Sequence, residues 1–220
     1  PAGAEVRDHD HSGALETARR IQDAARQGQA LRSIAIAQAG KGDVERALAT
    51  ARSIVHPGFS AIALGDVAAA FAREGNFPEA RTLASRIRDE KARGDAIAEI
   101  ASAQAVAGDL DGALTTANGI EDKLARAEAL ARLAAAQARF GRGPAAHEQF
   151  AQALTLAKAG RGSADRKSFA FIEIARAQIS AQEMSDARES LRLALAHLKS
   201  VKRNSDRLTL LAQIAPMQAR

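Results

Sequence analysis

The chain has 220 residues, 46% of them hydrophobic, with seven Phe and no Tyr, Trp or Cys. That apolar content is ample for a folded core, while the lack of Cys excludes disulfides, thiolate metal sites and a cysteine nucleophile. The formal net charge of +5 is unevenly spread: residues 158–220 hold 12 Lys/Arg against six Asp/Glu, and residues 1–157 are close to neutral. No apolar run approaches the roughly 18 residues needed to cross a bilayer. Much of the apolar fraction is alanine, so burial is expected to come from close backbone approach rather than from large side chains. Residue 1 is Pro, so the native start is expected upstream, and the compartment is left open, export included.

Residues 1–13 are polar and read as a flexible segment. Within them Asp8-His9-Asp10-His11 offers carboxylate and imidazole ligands, but an i, i+2 pair shares a face only in extended chain, so a solvated tail is the reading adopted. Residues 14–27 read as a partial unit, a second helix without a first (Ala14, Ala18, Ile21). From there a period of 33 residues sets in. Gly42, Gly75, Gly108 and Gly141 keep it, as do Ala47, Ala80, Ala113 and Ala146, and Leu31, Leu64, Ile97 and Leu130. A fifth copy (Phe171, Ile174, Gln178, Ala187) follows an insertion of eight. Leu31, Ile34, Ala35 and Gln38 have the i, i+3, i+4, i+7 spacing of one helical face. Gly42-Asp43 then ends that helix and caps the next, and Pro78 and Pro144 fall in first turns, where a missing N–H costs little. The alternation of half-buried strands is absent. Units are expected at about 28–60, 61–93, 94–126, 127–164 and 165–204. A terminal helix over 205–215 is stopped by Pro216, with Leu208 and Leu211-Ala212 on the unit pattern and Leu210 and Ile214 widening its apolar arc. That arc suggests a homodimer contact or a longer parent chain; a few tolerated exposed leucines explain it equally well.

These residues resemble the tetratricopeptide repeat: Leu31, Ile34, Ala35, Gly42-Asp43 and Ala47 fill its order, and Ala146, Phe150 and Ala153 match its second helix. Departures are Gln38, Gln104, Gln137 and Gln178 at the usual tyrosine, with only Phe71 aromatic, and a closing proline that is missing or displaced to Pro57. The resemblance covers about residues 14–215. It implies an all-α, right-handed α-solenoid of antiparallel helix pairs, a single body over 14–220. It also implies a concave surface lined by first helices that takes peptides or partner helices. Projected onto this chain, that face carries Arg32, Ile36, Ala69, Ser102, Ala135 and Arg176, with a flanking row of Asp66, Glu99, Arg132 and Glu173. The Lys/Asn clamp that some members use for a C-terminal carboxylate is not present. Alanine-rich packing that leaves little groove is the competing reading.

Catalysis finds no support. His9, His11, His56, His147 and His197 form no i, i+4 pair, and Gly141-Arg142-Gly143-Pro144 and Gly160-Arg161-Gly162-Ser163 lack the spacing of phosphate-binding loops and follow no strand, so both read as turns. No metal site, cofactor or nucleophile–base set is expected, and the chain reads as a non-catalytic module for a protein or peptide partner. The alternative is nucleic-acid or anionic-surface binding through Lys158, Arg161, Arg166, Lys167, Lys199, Lys202, Arg203 and Arg207, with the insertion as a loop over 159–167. Against it, stacking aromatics are nearly absent there. A regulatory domain of a larger protein is a third reading.

Overall fold

The computed structural model describes residues 12–201 and 203–218; His9, His11 and Lys202 lie outside them. All regular structure among the described residues is helical. The contacts divide the chain into two compact units, one ending at Ala96 and the other starting at Ile97. The first holds α1 (12–19), α2 (Ala24–Gly40), α3 (Val44–Arg52), α4 (Pro57–Arg73) and α5 (Phe77–Ser85). The division falls inside α6 (Glu90–Val106). The second unit continues with α7 (Leu110–Asn118), α8 (Lys123–Arg139), α9 (Gly143–Ala159), α10 (Ala164–Ser180), α11 (Met184–Leu198) and α12 (Asn204–Gln218).

Long and short helices alternate. The 17-residue helices α2, α4, α6 and α8 begin 33 residues apart, and so do the nine-residue helices α3, α5 and α7. Within the first unit α2 packs on α3 and on α4, and α4 on α5; within the second, α8 packs on α7, α9 and α10, and α10 on α11 and α12. The cores are built from alanine, as the composition predicts: Ala47, Ala80, Ala113 and Ala146 have no exposed surface. Larger side chains concentrate in the second unit around Phe150, Phe171, Leu130, Leu133 and Ile174.

Helices α2, α4, α6, α8 and α10 end the same way. After α2, the amide of Asp43 donates to the Gln38 carbonyl (3.0 Å) and that of Gly42 to the Ala39 carbonyl (2.9 Å), with Gly42 at φ 78°. This is the double bond pattern that closes a helix through a left-handed residue. Gly75, Gly108 and Gly141 repeat it at φ 83°, 87° and 75°, and the fifth copy forces Gln182 into φ 64°. The residue whose carbonyl closes the turn also anchors the hairpin by its side chain. Thr50 donates to Gln38 Oε1 (2.8 Å), Thr116 to Gln104 (2.7 Å) and Ser190 to Gln178 (2.6 Å), each hydroxyl lying twelve residues on and buried. Where the anchor is Phe71, the residue twelve on is Leu83, also buried. In the remaining copy both positions are amides, Gln137 and Gln149, whose buried Oε1 atoms find no donor. Asp23, Asp89 and Asp122 start α2, α6 and α8 by accepting from Arg26, Ala92 and Ala125 amides at 2.7–2.8 Å, and Pro57 opens α4.

Four expectations are corrected. The eight inserted residues form no loop: α9 has 17 residues where α3, α5 and α7 have nine, because 154–159 holds no helix breaker and places Ala157 on the buried stripe of Phe150 and Ala153. The connection is only 160–163. Its two glycines are required by contact, since a Cβ on Gly160 or Gly162 would lie 2.6 or 2.9 Å from the buried Leu124 side chain. The second helix read in the partial unit 14–27 ends at 19, and Asp23 caps a new one. Pro216 does not stop α12, which runs to Gln218; the proline sits in the last turn, where it removes the hydrogen bond to the Ala212 carbonyl. Finally, α12 packs through Leu210 and Ile214, leaving Leu208 and Leu211 exposed.

Thr116→Val is expected to cost about 1–3 kcal/mol by stranding Gln104 Oε1, read as a fall in Tm. Adding Gln104→Leu, which makes the pair apolar like Phe71 and Leu83, should restore part of that loss, so the double-mutant cycle should be non-additive. Gln182→Gly should relieve the left-handed side chain and raise stability by about 1 kcal/mol, or about 2–4 °C in a thermal melt.

Candidate functional site

In the second unit the C-terminal halves of α6, α8 and α10 line an open pocket of about 320 Å³. Helical spacing sets its walls: Ser102 and Val106 stand one turn apart on α6, Arg132, Ala135 and Arg139 share a face of α8, and Glu173, Arg176 and Ser180 share a face of α10. Three of the six residues projected onto the concave face, Ser102, Ala135 and Arg176, thus line one cavity. The other three belong to the first unit. There Arg32 on α2 is ion-paired to Asp66 on α4, Ile36 is half-buried and Ala69 is buried.

The floor of the pocket is small and apolar, and Val106, 67% exposed, adds a solvent-facing apolar surface at its edge. Its polar side is a chain of ion pairs. Arg132 bonds Glu99 on α6 and lies 3.9 Å from Glu173 on α10, which pairs with Arg176 at 2.8 Å. Burial opposes the Arg132 charge, but Glu99, Glu173 and Glu128 outweigh it and hold the guanidinium more firmly protonated than an exposed arginine. Arg139, exposed and in no ion pair among the described residues, completes the rim. The row read from sequence as flanking the groove is therefore a ladder of ion pairs in this unit.

The basic residues separate into two kinds. Arg166 is bonded at 2.7 Å to Asp122, the residue that caps α8, with both side chains mostly buried, so it is spent on structure. Lys158 ends α9, Arg161 lies in the connection, Lys167 is in the first turn of α10, and Lys199 and Arg203 flank the α11–α12 connection. Lys199 and Arg207 also edge an apolar groove of about 590 Å³ between α11 and α12, floored by Leu195, Leu198 and Leu211. His197 stacks on Phe171, ring centroids 5.6 Å apart and planes at 7°. Its burial, with Lys167 nearby, holds its pKa below the ordinary 6.5.

A third grouping was invisible in the sequence. His147 in the first turn of α9 lies 3.9 Å, through Nδ1, from both Glu183 Oε2 and Asp186 Oδ2 at the start of α11. The partners are 36 and 39 residues from the histidine, so no local spacing announces them. Desolvation, with Asp186 adding to it and His147 opposing it, lifts the Glu183 carboxylate above its ordinary value. No described helix is long and apolar enough to cross a membrane.

No family model matches the chain, and no curated protein matches it. Among solved structures, Ton1535 from Thermococcus onnurineus NA1 aligns over 97% of this chain and 88% of its own, with 16% identity and a TM-score of 0.32.

The His197 shift generates a pH prediction. The folded state takes up this proton at lower pH than the unfolded chain, so its contribution is full above the unfolded value of about 6.5 and is lost as pH falls through it. Stability should decline on acidification from about pH 7, and His197→Phe, which keeps the stack without the titration, should decline less. An anion held at Lys167 should raise the His197 pKa, which an NMR titration with and without phosphate would show.

Proposed function

We propose that the chain is a right-handed α-solenoid of tetratricopeptide-like units and a non-catalytic interaction module. In this reading it holds a short segment of a protein partner in the pocket of α6, α8 and α10. The 33-residue spacing of helix starts and the recurrent left-handed turns support the solenoid reading. The observation that carries the binding reading is the convergence of Ser102, Ala135 and Arg176 on one open cavity with an alanine floor. Its chemistry would suit a small apolar side chain on the floor and a carboxylate at Arg139 and Arg176, the first of which has no ion pair among the described residues. The helices are preformed, so little ordering cost falls on this side of the complex.

The test is selection of peptides on the purified chain, with affinities measured at low and high salt. Peptides combining an acidic residue with a small apolar one should be enriched. Ser102→Arg or Ala135→Arg should weaken them by tenfold or more with the helical circular dichroism unchanged. Binding that survives both substitutions in a folded protein overturns the reading. If the ligand were a nucleic acid held by Lys158, Arg161, Lys167 and Lys199, affinity would instead collapse between about 50 and 200 mM salt and ignore both substitutions.

A further inference from the structure

We propose that His147, Glu183 and Asp186 bind a divalent transition-metal ion that ties the start of α9 to the start of α11. The topology places these groups together. Helix α9 follows the left-handed turn after α8, α11 follows the equivalent turn after α10, and α10 packs on both α8 and α9. Three ligand atoms, one imidazole nitrogen and two carboxylate oxygens, lie within 4.8 Å of one another. In a metal site with bonds of roughly 2.0–2.2 Å the ligand atoms stand a little over 3 Å apart. Closing the gap needs only side-chain adjustment, and His147, 69% exposed, is free to make it.

A second observation concerns where Glu183 points. It is the residue preceding α11, a position whose side chain normally accepts from the helix's free amides, yet it makes no such bond. Its Oε2 is turned toward His147 instead, with no exposed surface and no hydrogen-bond donor. A buried, unsatisfied carboxylate oxygen is costly, and a cation at the centre of the three groups would remove that cost. Asp186 is arranged compatibly: Ser185 donates to Oδ1 (3.4 Å), and Oδ2 faces the histidine. Imidazole with two carboxylates suits Zn²⁺, Co²⁺, Ni²⁺ or Mn²⁺ better than the oxygen-preferring Mg²⁺ and Ca²⁺. Three protein ligands leave coordination positions to water. The tied turns follow the helices that bear Arg139 and Ser180 of the pocket, but the proposal does not depend on the peptide reading.

The experiment is titration of Zn²⁺ into the chelator-treated, tag-free chain carrying His9→Ala and His11→Ala, which silences the Asp-His-Asp-His tail. One equivalent of Zn²⁺ should bind saturably by calorimetry and raise Tm, Co²⁺ should develop visible absorption, and Mg²⁺ should do neither. His147→Ala and Asp186→Asn should each weaken Zn²⁺ binding by at least about tenfold, whereas His56→Ala should not. Glu183→Gln should raise the metal-free Tm while losing the Zn²⁺-dependent rise, which separates a lost ligand from a damaged fold. No saturable binding of any of the four transition metals, or binding that His147→Ala leaves unchanged, overturns the proposal.

Discussion

The hairpins of this protein hang on one residue per repeat, the one that closes each long helix. At Gln38, Gln104 and Gln178 the backbone carbonyl receives the amide that ends the helix, and the side-chain oxygen receives a hydroxyl from the next helix twelve residues later. One residue therefore sets both where the chain turns and how the returning helix is registered against the outgoing one. An amide–hydroxyl pair bridges the two helices at these positions. Gln meets Thr or Ser in three copies and Phe71 meets Leu83 in another, while Gln137 stands opposite a second amide and the side-chain oxygens of both stay without a donor.

Alanine has a consequence for the surface as well. Helices that approach closely leave shallow gaps between their exposed edges, so the pocket in the second unit is small and its character is decided by the few long side chains that cross it. Arg132 is the central one, reaching from α8 to carboxylates on both α6 and α10. Exposed ion pairs contribute little to stability one at a time. Their greater effect here is to cancel most of the charge along the groove, where Arg139 has no ion pair among the described residues.

Much of the helical pattern could be read from residues alone, because it depends on local chemistry: glycine at left-handed turns, proline at first turns, alanine at the buried stripe. Ser102, Ala135 and Arg176 came from the tetratricopeptide resemblance rather than from local chemistry, and they line one cavity, whereas Arg32, Ile36 and Ala69 lie in the first unit. The insertion was misread because Gly160, Gly162 and their basic neighbours look like loop, while the decisive signal lay just before them in Leu154–Ala159, a run with nothing to stop a helix. The hydroxyl partners were visible in principle, twelve residues past each anchor, but only a comparison between copies shows that polarity is matched there. The His147 set was beyond reach, since two hairpins must fold and pack before its members meet.

The unequal lengths of the second helices bear on how the molecule breathes. A helix of nine residues closes only about five backbone hydrogen bonds of its own and is far below the length at which isolated helices persist in water. Helices α3, α5 and α7 thus owe their order to the neighbours they lie against, whereas α9 and α11, at 17 and 15 residues, have about two more turns to lose. Amide protons should accordingly exchange with solvent soonest in the three short helices and latest between Phe150 and Ala194, so that fluctuation is graded along the chain rather than shared evenly by its repeats.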